Sequence, residues 1–222
     1  MNSFLENATE FVPLLLEGVQ LTILISICSL VLSTVLGLVW AILRLSPNRL
    51  ARTVSATVIN VLRGIPIIVQ LYYIYFVMPD IGISLTAVQA AIIGLGIAYS
   101  VYQAEDFRAG IEAVDHGQVE AAEALGMGRG MMMRRVIVPQ AVRIILPSFG
   151  NTMLVMLKDS SLASTITVAE LSLKGKLIAS STFQNTTVFT LVAMFYLIMC
   201  GPLMLLGRWL ENRGRIRRRP AR

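Results

Sequence analysis

The stretch GQVEAAEALGMGRGMMMRRVIVP, residues 117–139, is the one long charged segment in the middle of an otherwise apolar chain. Asp115 just before it is a good helix N-cap, and Gln118 three residues later would complete a capping-box-like pair. Strong helix formers follow, and Gly126 stands where a left-handed residue would end the helix. A helix of about ten residues is too short to be stable alone in water. The segment therefore predicts a short helix that docks on another surface.

The rest of the composition is that of a membrane protein. The chain has 222 residues, of which 55% are hydrophobic and 14% charged, and its mean hydropathy is +0.71. Ordinary soluble domains carry about a quarter charged residues. We therefore expect an all-α integral membrane protein, with residues 1–222 forming one transmembrane domain.

Five apolar stretches can be read as transmembrane helices, at residues 19–43, 53–78, 85–104, 136–157 and 188–207. Arg44, Arg49 and Arg52 follow the first span, and seven arginines follow the last. Because cytoplasmic loops are enriched in arginine and lysine, this pattern predicts an N-out, C-in topology. Residues 115–139 then form a cytoplasmic loop between spans 3 and 4. The basic tail is expected to contact anionic membrane lipid rather than nucleic acid.

The second span contains an interruption, Arg63-Gly64-Ile65-Pro66. A charge near mid-depth is costly, so Arg63 should face protein or water there. Alternatively the span starts later and Arg63 lies near an interface. Residues 160–186, beyond the fourth span, are moderately polar and are expected outside the membrane as helix and loop.

Polar residues cluster at the end of the third span and along the fourth. Glu105 and Arg108 are three residues apart and could pair on one helix face, although a solvated helix end gives the same pattern. Polar groups within spans normally face the bundle interior or a cavity. The candidate substrate path is therefore Glu105, Arg108, Arg143, Asn151, Lys158 and Asp159. Alternatively, these charges pair among themselves and hold the helices in register.

Signatures of catalysis are missing from the sequence. There is no GxxxxGK[ST] phosphate-binding loop, so we expect no ATP site of that kind in this chain. The chain has one histidine, and its two cysteines lie in apolar spans, so these residues make no convincing metal site. We expect a non-catalytic subunit without a cofactor.

The pattern Glu120-Ala121-Ala122, then Gly126, then Ile137 and Pro139 resembles the EAA loop of ABC importer permeases. Three other stretches are similar to the polar amino acid subfamily, namely RGIP at 63–66, VYQAEDFRAGI at 101–111 and the segment 139–162. Asp106 stands where that subfamily usually has an apolar residue, which leaves the substrate preference open. Val101 in place of alanine and Ser160 in place of threonine are further departures.

The resemblance implies the remaining parts of a transporter. The loop would be a coupling helix seated on a separate ABC ATPase subunit, through Gly117, Glu120, Ala121, Ala122 and Gly126. Further partners would be a second permease copy or homologous permease, an extracytoplasmic solute-binding protein and a small polar amino acid. The expected location is the bacterial inner membrane, with several passes.

A competing interpretation is an ion-coupled secondary transporter or channel subunit that uses Glu105, Asp106 or Asp159 as a proton or cation site. Such proteins usually have more spans, often as inverted repeats. Five spans without a visible repeat argue against this interpretation, although a dimer of such chains would still be compatible with it.

Overall fold

The computed structural model describes the backbone of residues 2–215 and the side chains of residues 8–209. All regular structure in these residues is helical. The α-helices are α1 (Asn2–Arg44), α2 (Arg49–Gly64), α3 (Ile67–Tyr72), α4 (Ala87–Glu112), α5 (His116–Ala124), α6 (Arg129–Met132), α7 (Val138–Asp159), α8 (Leu171–Thr182) and α9 (Asn185–Arg215). Short π-helical turns follow α3 and α6, and 3-10 turns cover Met78–Ile81 and Ser160–Ile166.

The membrane-spanning content agrees with the sequence. Four helical stretches of the described chain are long and apolar enough to cross a bilayer, at 8–44, 87–112, 129–166 and 185–209. A fifth span results if α2 and the helical segment Ile67–Ile81 are counted as one bent span. The all-α membrane fold with four to five spans is thus confirmed.

The first helix is longer than its apolar core requires. It was expected at 19–43, but it already runs through Phe11 and Leu15, which are 2% and 0% exposed. These side chains pack against Leu171, Ile178 and Val188 of the α8–α9 region. Burial against those helices explains the extension, because packing stabilises a helical segment more than propensity does.

α1 and α4 form the central helix pair through small and polar residues. Gly37 lies against Gln103 and the carbonyl of Ser100, so a Cβ atom there would come within 3.0 Å of the Gln103 Cβ. The buried Gln103 amide donates a hydrogen bond to Ser33 Oγ at 3.1 Å. Close backbone approach and interhelical hydrogen bonds are the usual basis of helix association in membranes.

The second span breaks where the sequence predicted. α2 ends at Gly64, α3 begins at Ile67, and the two segments meet at 100°. Pro66 cannot donate a backbone hydrogen bond, and the residue before a proline avoids helical geometry. The Gln70 side-chain amide donates to the carbonyl oxygens of Leu62 (2.9 Å) and Ile65 (3.0 Å). The Leu62 carbonyl, which already accepts from the Ile65 N–H at 3.4 Å, thus gains a second donor, and the Ile65 carbonyl at the break is also satisfied.

Glu170 was not expected to be buried, because residues 160–186 read as a moderately polar stretch outside the membrane. It is 0% exposed and caps α8 by accepting hydrogen bonds from the N–H groups of Ser172 and Leu173, both at 2.9 Å. The hydroxyls of Tyr196 and Thr22 also donate to it, at 3.1 and 3.4 Å. Glu170 thus ties α1, α8 and α9 together. Burial raises the pKa of its carboxyl group above the usual value, against the opposing effect of these hydrogen bonds.

Candidate functional site

The predicted coupling helix is α5, His116–Ala124. Asp115 caps it as expected, with its Oδ1 accepting a hydrogen bond from the Gly117 N–H at 2.7 Å. The capping-box pair with Gln118 is wrong, since the Gln118 side chain makes no hydrogen bond with any residue that the structure describes. The Asp115 contact is sufficient to start the helix, because one side-chain acceptor already satisfies one of the free N–H groups.

The other end of α5 closes in a Schellman motif. Gly126 has φ +72°, the left-handed conformation expected of it. Its N–H donates to the Glu123 carbonyl at 2.9 Å, and the Met127 N–H donates to the Ala122 carbonyl at 3.1 Å. Both bonds satisfy carbonyl groups of the last turn, so α5 has defined ends and can move as a rigid unit.

The predicted coupling residues divide into two groups. Gly117, Glu120, Ala121 and Gly126 are exposed. Ala122 is only 3% exposed, and it packs in a cluster with Val114, Met132, Ile137 and Ala141. Ala122 therefore seats α5 on its own chain, where the sequence suggested an outer contact.

Leu125 was missed as a surface residue of this segment. Its side chain is 77% exposed at the C-terminal end of α5. Leu125 is the C-cap residue, three positions beyond the buried Ala122, so helical spacing alone would have placed it on the inner face and gave no signal for its exposure.

The candidate substrate path lies at a cavity of about 460 Å³ between the α2–α3 corner, α4 and α7. Of the predicted residues, Glu105, Asn151 and Asp159 line this cavity. Its other lining residues are Arg63, Ile67, Tyr99, Tyr102, Asp106, Ser148, Thr152 and Val155. Arg63 therefore faces a cavity, one of the environments expected for it.

Three predicted path residues lie outside the cavity. Arg108 is held by two carboxylates on its own helix, at 2.8 Å from Glu105 and 2.6 Å from Glu112. The side chains of Arg143 and Lys158 are exposed on other faces of α7. The sequence gives the positions of these charges along the chain, but not which way each side chain points around its helix.

Glu105 is neutralised by two arginines. Its Oε1 lies 3.1 Å from Arg44 at the end of α1, and its Oε2 lies 2.8 Å from Arg108. The predicted Glu105–Arg108 pair is thus confirmed, and Arg44 adds a link between α1 and α4. Such a doubly paired carboxylate is a poor site for a free proton or cation.

The unpaired charges of the cavity are Arg63, Asp106 and Asp159, none of which forms an ion pair within the described part of the chain. Tyr99 donates its hydroxyl hydrogen to Asp159 Oδ2 at 2.6 Å. The Arg63 guanidinium carbon lies 5.4 Å from the centroid of the Tyr102 ring, a cation–π distance. Both signs of charge therefore remain available to a solute.

Several cavity residues were missed by the sequence analysis but follow a helical spacing. The missed Tyr99 and Tyr102 recur on α4 every three or four residues with Asp106, which the sequence analysis had noted as a departure from the subfamily. Ser148 and Thr152 are four residues apart on α7, and the predicted Asp159 follows seven residues later, about two turns along the same face. Residues at this spacing share one helix face, so a polar stripe within each span was the available signal.

Long apolar helices, a short exposed helix with capped ends and a charged cavity between spans together define a transport permease. Residues 33–216 match the family described as the binding-protein-dependent transport system inner membrane component. The chain belongs to this family, and it is an inner-membrane permease subunit.

Its relatives agree over nearly the whole length. The chain is 39% identical to the probable amino-acid ABC transporter permease protein YckA of Bacillus subtilis, over 93% of this chain and 91% of that one. It is 36% identical to the glutamine transport system permease protein GlnP of Escherichia coli, over 92% and 94% of the two chains. The crystal structure of an amino acid ABC transporter with histidines superposes with a TM-score of 0.88 at 36% identity, covering 93% of this chain and 97% of that one.

Proposed function

We propose that this chain is the permease subunit of an ATP-driven importer that carries a polar amino acid or a related zwitterionic solute inward. The observation that carries the proposal is the cavity in which Arg63 and Asp159 offer opposite charges without an ion-pair partner. The amino acid transport named for YckA and the glutamine transport named for GlnP support the same solute class.

A zwitterion that enters a low-dielectric space loses hydration at both charged ends, so its site must replace both sets of interactions. Arg63 suits the carboxylate because a planar guanidinium can donate two parallel hydrogen bonds. Asp159, oriented by Tyr99, suits the ammonium group. Asn151 lines the same space and adds a neutral donor and acceptor. In this assignment Arg63 takes the role that the sequence gave to Arg108, Arg143 and Lys158.

Energy would reach the cavity through α5, within the coupling loop of residues 115–139. The exposed residues Gly117, Glu120, Ala121 and Gly126, with Leu125, form the surface offered to an ABC ATPase subunit. The inner face of α5 packs on the residues that lead into α7, which lines the cavity. A displacement of α5 is therefore transmitted directly to the cavity wall. A second permease copy or a homologous permease and an extracytoplasmic solute-binding protein complete the proposed assembly, with N-out, C-in topology.

The test is uptake of a radiolabelled amino acid by vesicles that contain the complex purified through this chain, with and without ATP on the cytoplasmic side. We expect uptake that requires ATP and the solute-binding protein, and ATPase chains that co-purify. Uptake driven by a proton or sodium gradient without ATP would instead support the ion-coupled alternative at Glu105 or Asp159.

A matched pair of variants tests the cavity. Asp159→Asn keeps an acceptor for Tyr99 but removes the charge, and it should weaken solute binding by about ten- to a hundredfold, the size of one charged hydrogen bond. Lys158→Gln changes the neighbouring residue, whose side chain lies outside the cavity, and should leave solute binding as in the wild type. Equal solute affinity of both variants and the wild type would refute the assignment of Asp159.

A further inference from the structure

Asp106 is the cavity carboxylate that the proposed function leaves without a role. We propose that it is a specificity-determining residue and that the cavity prefers amino acids with a cationic side chain, such as lysine. This inference rests on the proposed function, because it concerns the solute that binds in the same cavity.

The first argument is charge balance. Three carboxylates and one guanidinium line the cavity, and Glu105 is already neutralised by Arg44 and Arg108. Asp106 and Asp159 therefore face a single cation, Arg63. A neutral amino acid brings one positive and one negative group, so one carboxylate remains without a cation after it binds. A second positive group on the solute would pair with the remaining carboxylate and remove that imbalance.

The second argument is the orientation of Asp106. Ser148 of α7 donates to its Oδ2 at 2.7 Å, which fixes the side chain between α4 and α7. Its Oδ1 accepts no hydrogen bond from any residue in the described part of the chain. The side chain is half-buried at the cavity wall, so this oxygen is available to a donor on the solute.

The third argument is spacing. Tyr99, which touches Asp159, lies two helical turns from Asp106 on α4, about 10 Å along the axis. Ser148, which touches Asp106, lies three turns from Asp159 on α7, about 16 Å along that axis. The two nitrogen atoms of an extended lysine are about 6 to 7 Å apart by ordinary bond lengths. With a charge-assisted hydrogen bond of about 2.8 Å at each end, lysine spans about 12 Å, which lies between these two axial rises of about 10 and 16 Å.

The experiment measures binding directly, so that the selectivity of the solute-binding protein does not enter. The complex purified through this chain is placed in lipid nanodiscs without the binding protein, and radiolabelled lysine and glutamine are equilibrated against it. We expect the wild type to bind lysine more tightly than glutamine. Asp106→Asn should weaken lysine binding by about ten- to a hundredfold and leave glutamine binding unchanged.

Two further variants separate the charge of Asp106 from its packing. Ser148→Ala removes the hydrogen bond between α4 and α7 but keeps the carboxylate, so the preference for lysine should persist. Glu112→Gln removes one charge from the same helix outside the cavity, and it should leave both affinities unchanged.

Three outcomes would overturn the inference. One is equal affinity of the wild type for lysine and glutamine. Another is a loss of affinity for both solutes in Asp106→Asn, which would make Asp106 a packing residue. The last is loss of lysine preference in Ser148→Ala with none in Asp106→Asn. None of these three outcomes affects the proposed function if ATP-driven uptake is observed in the vesicle assay. The absence of uptake in that assay would refute the proposed function itself.

Discussion

Replacing Glu170 with alanine tests whether the carboxylate that ties α1, α8 and α9 is a principal source of stability. The substitution removes the acceptor for the N–H groups of Ser172 and Leu173 at the start of α8. It also removes the carboxylate that accepts a hydrogen bond from the Tyr196 hydroxyl. That hydroxyl keeps its hydrogen bond with Ser172 Oγ at 2.9 Å.

The size of the effect follows from these contacts. Loss of a helix N-cap costs about 1 kcal/mol, and a buried donor left without its acceptor costs about 1 to 3 kcal/mol. Glu170→Ala should therefore lower the free energy of unfolding by about 3 kcal/mol. For a chain of this length that corresponds to a fall in Tm of about 6 to 12 °C. Glu170→Gln keeps one acceptor oxygen and the side-chain volume, so a smaller fall is expected.

The assay is thermal unfolding of the purified protein in detergent, with Glu10→Ala, which replaces an exposed glutamate, as the control. Because burial raises the pKa of Glu170, the folded state holds a proton more tightly than the unfolded state. Stability should then fall as pH rises from the usual carboxyl pKa through the raised one, and Glu170→Gln should lack this dependence. A Tm for Glu170→Ala equal to that of the control would refute the reasoning.

Three further predictions concern packing, coupling and topology. Gly110→Ala places a methyl group against the Ile145 side chain and should lower the Tm, whereas Gly128→Ala, in open space, should not. Gly126→Val forces a β-branched residue to φ +72°, at a cost of at least about 1 to 2 kcal/mol, so it should weaken association with the ATPase subunit in pull-down assays. Gly128→Val, at φ −65°, is its control, and equal association of the two would contradict the assignment of α5 as the coupling helix. In a background without the native cysteines, Ser84→Cys should react with an impermeant reagent from outside and Gly128→Cys only from inside; reaction of both from outside would contradict the predicted topology.

The fold could be predicted largely because each of its determinants is local in the sequence. Apolar length sets the spans, Pro66 sets the break in the second span, and Asp115 and Gly126 set the ends of α5. Each of these depends on a few neighbouring residues and needs no knowledge of what packs against them.

The candidate site could be predicted only in part, because it depends on which way side chains face. Arg63 interrupts the second span and Arg108 follows the third, and the sequence does not show that Arg108 is held by Glu105 and Glu112 while Arg63 reaches a cavity. Glu170 shows the same difficulty, since its partners Thr22 and Tyr196 are distant in sequence. Long-range partners decide whether a charge is buried, paired or free.

The corner between α2 and α3 has a mechanical consequence. The Gln70 amide donates hydrogen bonds to the carbonyl groups of Leu62 and Ile65 across the break. These bonds resist bending of α2 against α3 at the corner. Arg63 lies on the last turn of α2, beside this corner, whereas Asp159 lies at the end of α7. In the proposed function, a zwitterion bound by both residues would link the corner to α7, and this link would depend on the Gln70 amide, which does not line the cavity.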